Sequence, residues 1–366
     1  MAATPLPFSV WQDVAALTGS APAVYSFCMT CREILADASL LIQSALRTSV
    51  KRFAHARRLP EQTLSFETTR ISRDRIPAII SGSAVLQIVL GDVWENSDID
   101  IFCTRDATVE VRHHLQTIGC RDVTPEDFDD SKFDLETYGF NLSKKLLNLN
   151  LHYHKIDRVF RYVLYRDCCS DTSDSENACC RSDSCSDTPQ SIYFDIVQGH
   201  ADVLDARELL NSFDIKCCAV YFDPARASFH IPEPHLTLRR RSSTEERHAS
   251  LMSGFANSVR EVYHKLGVKS PKAIVSSGTG VHMPDPWWLP CATAAVRSCE
   301  ASMELSKVSD TALSQDELTS VYHLCSKLYA RQQKYENRGI TFENPMPLCS
   351  DLNNLFWNRR LRRRLQ

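Results

Sequence analysis

Four short motifs that mark common enzyme classes are absent from the sequence. It contains no GxxxxGK phosphate-binding loop, no GxGxxG dinucleotide-binding turn, no HExxH zinc-binding helix and no GxSxG nucleophile turn. Each of these motifs exists because its chemistry needs those residue types at that spacing, such as two histidines on one helical face. Their absence removes the most common competing enzyme classes from consideration.

The sequence also lacks an apolar run long enough to cross a membrane, and its first residues do not combine a basic region with an apolar one. We therefore expect a cytoplasmic or nuclear protein with no membrane partner. The 15 cysteines agree with this, because their number is odd, they are scattered and some are adjacent, as in Cys217-Cys218. A secreted disulfide framework would be even and regularly spaced, so we expect thiols.

Charge is distributed unevenly along the chain. The net charge is −3, but five arginines lie among the last eight residues, so the remainder carries −8. A chain with this negative charge does not attract nucleic acid in general, and a polynucleotide would have to be held by local basic patches. The stretch with Lys51, Arg52, Arg57 and Arg58 is such a patch, and it is either a solvated helix face or a phosphate contact.

The stretch from Ile79 to Cys103 contains the strongest signal in the chain. Its sequence predicts a strand, a turn at Gly82, a short apolar helix that Gly91 ends, a polar loop and a second strand. In a strand, alternate side chains share a face, so Asp98 and Asp100 point the same way at roughly 7 Å. Two carboxylates on one face repel each other, and the pattern therefore predicts a divalent cation between them, Mg²⁺ or Mn²⁺.

Two further carboxylates compete for the third position at such a site. Asp195 lies within the apolar stretch Ser191 to Val197, which reads as a buried strand, and Asp214 lies between Phe213 and Ile215. A carboxylate among apolar neighbours is costly unless it has a partner, and the predicted cation could be that partner. We favour Asp195, because Asp214 falls at the entrance of its predicted strand rather than inside it.

The order of these residues resembles the nucleotidyltransferase superfamily, whose members share the polymerase-beta-like fold. The resemblance covers residues 76–222 and consists of Gly82-Ser83, the strand Asp98 to Ile101 preceded by Ser97, and Asp195 between apolar residues. One departure is the spacing of fourteen residues between Ser83 and Asp98, which is slightly longer than in that family. The resemblance implies transfer of a nucleoside monophosphate from an NTP to a hydroxyl group.

The resemblance also implies a role for each residue. Asp98 and Asp100 would bridge two metal ions, and Asp195 would hold one ion and act as general base toward the acceptor hydroxyl. Gly82 would allow close approach of the triphosphate, while Ser83 and the following amides would donate hydrogen bonds to it. The acceptor stays open, since an RNA end, a small molecule or a protein side chain would each fit.

Secondary structure outside this stretch follows from periodicity. We predict strands at Asn141 to His154 and Val159 to Tyr165, a helix from Ala201 to Asn211 and a strand from Cys217 to Phe222. Residues 167–189 hold no large apolar side chain, so we expect a mobile loop there. Two long helices should follow, with capping boxes at Ser243-Glu246 and Ser314-Glu317.

Three cations near the end of the second long helix form another candidate site. Arg331, Lys334 and Arg338 have a spacing that puts them on one helical face, with Gly339 as the cap. The run RxxKYxxRG resembles one in uncharacterised nucleotidyltransferase-like proteins of large DNA viruses, protists and fungi. It implies nucleotide binding, but cations are also favourable at any helix C-terminus, and both readings stay open.

The first helices offer a different class of function. Leu6-Pro7 precedes two short amphipathic helices within residues 6–42, which resemble an F-box, the adaptor-binding module of ubiquitin ligases. A plain helical lead-in that packs on the next domain is the other reading.

Taken together, the sequence predicts an α/β (α+β) protein with a mixed sheet and helical units on both sides. The predicted segments are a helical F-box-like unit (1–45), a basic connector (46–75), a nucleotidyltransferase-like core (76–225), a mainly helical unit (226–350) and a basic tail (351–366). The predicted function is metal-dependent nucleotidyl transfer. The alternative is an F-box-type adaptor that carries an inactive nucleotidyltransferase-like domain.

Overall fold

The fold is described from a computed structural model of the chain, for residues 7–30, 37–66, 68, 74–94, 97–124, 155–165, 191–265, 289–302 and 314–343. These residues fall into two compact units, each of which is described by itself. The sheet unit takes those within Met1–Phe128, Lys155–Asn211 and Cys217–Arg239, and the helical unit takes those within Ser212–Lys216 and Arg240–Gln366. No helix in these ranges has an apolar segment of the length that a bilayer requires.

The sheet unit begins with three helices, α1 (Phe8–Thr18), α2 (Ala21–Thr30) and α3 (Ala38–Ala56). Gly19, with φ of +53°, ends α1, and the Arg52 guanidinium donates hydrogen bonds to the last carbonyl groups of that helix. The Gln43 side chain on α3 both donates to and accepts from the main chain of Phe229. This pair of hydrogen bonds joins α3 to the sheet. A short 3₁₀ helix, Glu61–Leu64, follows α3.

The strand–turn–helix–loop–strand prediction for Ile79 to Cys103 is confirmed. Strand β1 is Ala78–Ser81, helix α4 is Ser83–Leu90 and strand β2 is Ile99–Cys103. Gly91, with φ of +71°, ends α4 as expected. All eight residues of α4 are buried, so this helix lies inside the unit. Helix α5 (Arg105–Thr117) follows β2, and the Thr104 hydroxyl accepts a hydrogen bond from the Ala107 amide at its start.

The strands of the sheet unit form one mixed sheet. The remaining strands are β3 (Arg121–Asp122), β4 (Ile156–Tyr165), β5 (Ser191–Gly199), β6 (Tyr221–Asp223) and β7 (Ser228–His230). Their order is β3-β4-β5-β2-β1-β6-β7, in which β2 and β5 are parallel and the other described neighbours are antiparallel. The predicted α+β class is therefore confirmed. The strand predicted at Asn141 to His154 and the loop at 167–189 lie outside the described residues.

Two local predictions in the sheet unit are wrong. The helix expected from Ala201 is a 3₁₀ helix, Ala206–Ser212, because the Asp205 carboxylate accepts the amide hydrogen bonds of Ile76 and Arg207 and so forms the turn before it. The strand expected from Cys217 to Phe222 is a 3₁₀ helix, Lys216–Ala219, followed by β6. There the Ser81 hydroxyl donates a hydrogen bond to the Val220 carbonyl oxygen at 2.8 Å. That oxygen would otherwise be available for backbone pairing in a longer strand. A short helix, α6 (Pro234–Thr237), ends the unit.

The helical unit is built on three long helices. They are α7 (Glu246–Lys265), α8 (Leu289–Ser302) and α9 (Gln315–Glu336), and the short strands β8 (Arg241–Ser242) and β9 (Thr341–Phe342) pair in parallel beside them. Apolar residues at helical spacing on α7 and α9 are buried, among them Met252, Phe255, Val259, Val321 and Tyr329. The eight cysteines in the described part of the chain are buried thiols, in line with the expectation from sequence.

Of the two predicted capping boxes, one is confirmed and one is wrong. Ser314 and Glu317 make the reciprocal hydrogen bonds of a capping box at the start of α9. At the start of α7 the cap is the Glu245 carboxylate, which accepts the amide hydrogen bonds of Arg247 and His248. Ser243 lies two residues before this cap, and its carbonyl oxygen accepts the Lys216 amide.

The Glu245 cap makes the helical unit sensitive to acid. Burial alone would raise the pKa of Glu245, but hydrogen bonds from His248 and Arg247 outweigh it and lower the pKa from 4.5 to about 2. A carboxylate whose pKa is lower in the folded state stabilises the fold above its ordinary pKa, and this contribution is lost as pH falls toward the folded value. We expect the stabilisation to disappear between about pH 4.5 and pH 2.

The measurement is the urea midpoint of unfolding, followed by helical circular dichroism, for wild type and Glu245→Gln across this pH range. The difference between the two proteins should shrink as pH falls. Glu246→Gln, which changes the exposed neighbouring carboxylate, is the matched control. A difference that stays constant down to pH 2 would contradict the assigned role of the Glu245 charge.

Candidate active site

A row of polar side chains crosses four adjacent strands of the sheet. Strand register places Asp100 of β2 opposite Asp195 of β5, Asp195 opposite Arg161 of β4, and Asp100 opposite Ser81 of β1. Residues directly opposite each other share a face of the sheet, and neighbouring strands lie about 4.8 Å apart. The parallel pairing of β2 with β5 is what brings Asp100 and Asp195 together.

Asp98 lies directly before β2 and extends this row. It lies two residues before Asp100, and the intervening Ile99 and the following Ile101 are 1% and 0% exposed. The predicted alternation on this strand is therefore confirmed, with apolar side chains in the core and carboxylates on the other face. The Asp98 side chain is 45% exposed, whereas that of Asp195 is 8% exposed. The carboxylates thus run from the solvent edge into the interior.

Arg161 is the residue of this site that the sequence did not predict. Its Nε donates to Asp195 Oδ1 at 2.8 Å and its Nη2 donates to Asp195 Oδ2 at 2.6 Å. The same Nη2 lies 4.0 Å from Asp98 Oδ2. This is a bidentate fork of guanidinium on carboxylate, which is among the stronger ion-pair geometries. The fork gives the partly buried Asp195 its counter-charge and places a cation next to Asp98.

Gly82 has a steric reason to be glycine. Its φ is +77°, and a Cβ atom built on it would lie 2.5 Å from Asp100 Oδ2. Any larger residue at this turn would therefore displace the Asp100 carboxylate. Gly82 was predicted to allow close approach of a phosphate, and the group that the structure brings against it is Asp100 itself. This close approach fixes where the carboxylate lies relative to the start of α4.

Ser83 begins α4 and is joined to the other end of the loop. Its hydroxyl makes a hydrogen bond with the Ser97 hydroxyl, and both side chains are buried. The bond connects the turn at Gly82 to the residue that precedes Asp98. The serine that was predicted to donate to a ligand therefore also holds the loop between α4 and β2 closed.

Arg57 anchors the same loop from α3. Its guanidinium donates to the carbonyl oxygens of Trp94 and Ser97 and to Gln87 Oε1, which itself accepts the Trp94 amide at 2.7 Å. The sequence placed Arg57 in a basic stretch, as a solvated face or a phosphate contact. Its observed bonds instead go to the loop that carries Ser97 and Asp98, and Arg52 bonds to α1 in a similar way.

Asp214 and the three predicted cations belong to the helical unit. Asp214 is 3% exposed, and its Oδ1 accepts a hydrogen bond from Arg331 Nη1 at 2.9 Å. Lys334 lies in the last turn of α9. Because α9 ends at Glu336, Arg338 lies in the turn after it, where Gly339 has φ of +80°. The expectation that all three cations continue one helical face is therefore wrong for Arg338.

The pKa of Lys327, another cation on α9, is shifted by burial and by a neighbouring charge. Burial and the nearby Arg331 lower the pKa of Lys327 from 10.5 to about 8. Lys327 lies one turn before Arg331 on α9, so the two cations are on the same side of the helix. Burial is the larger cause, and the charge of Arg331 adds to it in disfavouring the protonated form of Lys327.

The carboxylate row has the donor chemistry of a hard divalent cation. Asp98, Asp100 and Asp195 are oxygen donors on one face of two neighbouring strands, which suits Mg²⁺ or Mn²⁺. In the conformation described, no three carboxylate, imidazole or thiol groups among the described residues converge on one metal position. Arg161 gives a physical reason, since it engages both oxygens of Asp195. The donor types fit a metal ion, and the guanidinium of Arg161 lies against the oxygens of Asp195.

The Arg57 contacts predict an effect on the loop that carries Asp98. Replacing Arg57 with Met keeps the aliphatic length and removes the donors to Trp94 and Ser97. A hydrogen bond from a charged donor contributes about 1.5–3 kcal/mol, so the Trp94 amide should exchange with solvent about tenfold faster or more. Hydrogen exchange read by mass spectrometry over residues 91–98 tests this. Arg58→Met is the matched neighbour, and equal exchange in both variants would show that Arg57 does not hold the loop.

Comparisons with known proteins add no family to this site. Neither the protein-family models nor the curated protein sequences compared with the chain gave a match. The functional argument therefore stands on the residues and their geometry.

Proposed function

We propose that this protein is a metal-dependent nucleotidyltransferase that transfers a nucleoside monophosphate from an NTP to an acceptor hydroxyl. The observation that carries the proposal is the register of β2 and β5, which sets Asp195 directly across from Asp100, with Asp98 directly before β2. Carboxylates in this arrangement need a cation, and phosphoryl-transfer sites use such carboxylates to hold one. The resemblance of the sequence to the nucleotidyltransferase superfamily supports the same reaction.

Asp98, Asp100 and Asp195 would hold Mg²⁺ or Mn²⁺. A bound divalent ion supplies charge stabilisation at the phosphate under attack and lowers the pKa of the attacking hydroxyl. We assign the third position to Asp195 rather than Asp214, because Asp195 shares the sheet face of Asp100 while Asp214 is engaged by Arg331. Asp195 then accepts the proton of the acceptor hydroxyl as general base.

The turn between β1 and α4 is the proposed triphosphate contact. Gly82 presents backbone without a side chain at this point, and the first amide groups of α4 point away from the helix body. Helix N-termini bind anionic groups through such amides and through the helix dipole. Ser83 lies at that N-terminus, and its hydroxyl would share its hydrogen bonding between Ser97 and a phosphate oxygen.

Nucleotidyl transfer should depend on the two aspartates of β2. We expect Asp98→Asn with Asp100→Asn to lower Mg²⁺-dependent transfer from a labelled NTP by more than about a hundredfold, because even groups that only support metal ligands contribute ten- to a hundredfold. Asparagine keeps the shape of the side chain and removes the charge. Asp157→Asn, on β4 of the same sheet, is the control, and circular dichroism checks the fold.

The acceptor panel for this assay is an RNA 3′ end, small hydroxyl compounds such as nucleotides and aminoglycosides, and protein substrates. Transfer by wild type to one of these, lost in the double variant and kept in the control, supports the proposal. Wild-type protein that is inactive on every acceptor would count against an enzyme, and so would transfer that survives the double substitution.

A second candidate function rests on the surface of α1. Val10, Val14 and Leu17 are 37%, 43% and 78% exposed and follow each other at i, i+4 and i+7, which makes an apolar stripe on one helical face. Exposed apolar stripes of this kind are a common form of helix-mediated protein recognition. The stripe fits the F-box-like reading, in which residues 6–42 bind a ubiquitin-ligase adaptor and the carboxylate site is inactive.

A pull-down with the ubiquitin-ligase adaptor separates the two functions. If the adaptor reading is correct, the full-length protein retains the adaptor, Val14→Asp with Leu17→Asp releases it, and Asp98→Asn with Asp100→Asn retains it. Failure of the full-length protein to retain the adaptor would remove this candidate. The carboxylate variant is the matched control, because it changes the same number of side chains in the same sheet unit.

A further inference from the structure

Arg161 stands where the proposed metal ion would act. Its guanidinium engages both oxygens of Asp195 and lies 4.0 Å from Asp98, so one protein cation faces two of the three proposed metal ligands. A divalent ion that used Asp195 would have to compete with this fork. The carboxylate cluster therefore has an internal counter-ion when no metal is bound.

The backbone of Arg161 is held by hydrogen bonds, whereas its side chain is partly exposed to solvent. The Arg161 amide donates to Thr124 Oγ1 at 3.0 Å, its carbonyl oxygen accepts the Val123 amide at 2.9 Å, and the residue is paired with β5. The side chain is nevertheless 50% exposed, against 8% for Asp195. The Arg161 Cζ atom also lies 5.7 Å from the centroid of the Tyr193 ring. Guanidinium groups bind aromatic faces, so the Tyr193 ring, on the same strand as Asp195, would hold the guanidinium once it left the carboxylate.

We propose that Arg161 is an exchangeable counter-ion of the carboxylate site, and that a divalent metal ion binds by displacing its guanidinium from Asp195. This inference rests on the proposed function, because it presupposes that Asp98, Asp100 and Asp195 hold a metal. It goes further in stating that the metal-free site is closed by an ion pair and that metal affinity is set by competition. Two ligands that compete for one group each weaken the binding of the other by the same factor.

The competition has two measurable consequences. Removing the guanidinium takes away the competitor, so metal should bind more tightly to an Arg161→Gln variant. Removing it also leaves a partly buried Asp195 without its counter-charge, so the metal-free variant should be less stable and should gain more from metal than wild type does. A merely structural arginine would lower stability without raising metal affinity.

The experiment measures Mn²⁺ binding to the full-length protein by water-proton relaxation enhancement, with melting temperatures taken with and without Mn²⁺. Arg161→Gln should bind Mn²⁺ about tenfold more tightly than wild type, within the usual range for coupled ligands. Arg158→Gln, which changes another arginine of β4, should bind like wild type. Arg161→Lys keeps the charge and loses the fork, so its Mn²⁺ affinity should lie between those of wild type and Arg161→Gln. It replaces Arg161→Gln in the test if that variant does not fold.

The outcomes separate this inference from the proposed function. Wild type that binds Mn²⁺, together with Arg161 variants that bind it equally or more weakly, would overturn the counter-ion role and leave the metal site standing. No Mn²⁺ binding by wild type or by any Arg161 variant would overturn both. Tighter binding in Arg161→Gln, unchanged binding in Arg158→Gln and a larger Mn²⁺-dependent rise in melting temperature would support the displacement.

Discussion

Repulsion among carboxylates on one sheet face is the constraint on which the site depends. The parallel pairing of β2 with β5 sets Asp195 beside Asp100, and strand alternation adds Asp98 to the same face. Such a row is costly without a positive charge. The fold supplies one from the next strand, because the β4–β5 register puts Arg161 opposite Asp195. Register, rather than any single motif, creates both the negative cluster and its counter-ion.

Several elements outside the strands hold that arrangement in place. Gly82 lets the Asp100 carboxylate pack against the turn, the hydroxyls of Ser83 and Ser97 join the two ends of the loop, and Arg57 bonds the loop from α3. The N-terminal helices thus contribute directly to the position of Asp98. This gives α3 a structural purpose whichever function α1 serves.

The sequence carried enough local signal to predict the central motif but not the contacts that complete it. Apolar alternation around Asp98 and Asp100, and the glycines at positions 82 and 91, are local patterns, and the strands and α4 follow from them. Arg161 could not be found this way, because its role depends on the pairing of β4 with β5 across a long segment of chain. The cap at Glu245 and the 3₁₀ helix after Asp205 were missed for a similar reason. Each depends on which backbone amides donate hydrogen bonds to a nearby carboxylate, and sequence spacing does not determine this. Ser243 has the spacing of a capping residue, but Glu245 is the cap and the Ser243 carbonyl oxygen accepts the Lys216 amide.

The central claim is that the carboxylates of β2 and β5 form a divalent-cation site that Arg161 closes when no metal is bound. The most direct measurement is the anomalous scattering of Mn²⁺ in crystals grown with a non-hydrolysable NTP analogue. The account predicts an anomalous peak in contact with carboxylate oxygens of Asp98, Asp100 and Asp195, with the Arg161 guanidinium moved off Asp195. An undisturbed Arg161–Asp195 fork and no Mn²⁺ peak at these carboxylates would contradict it.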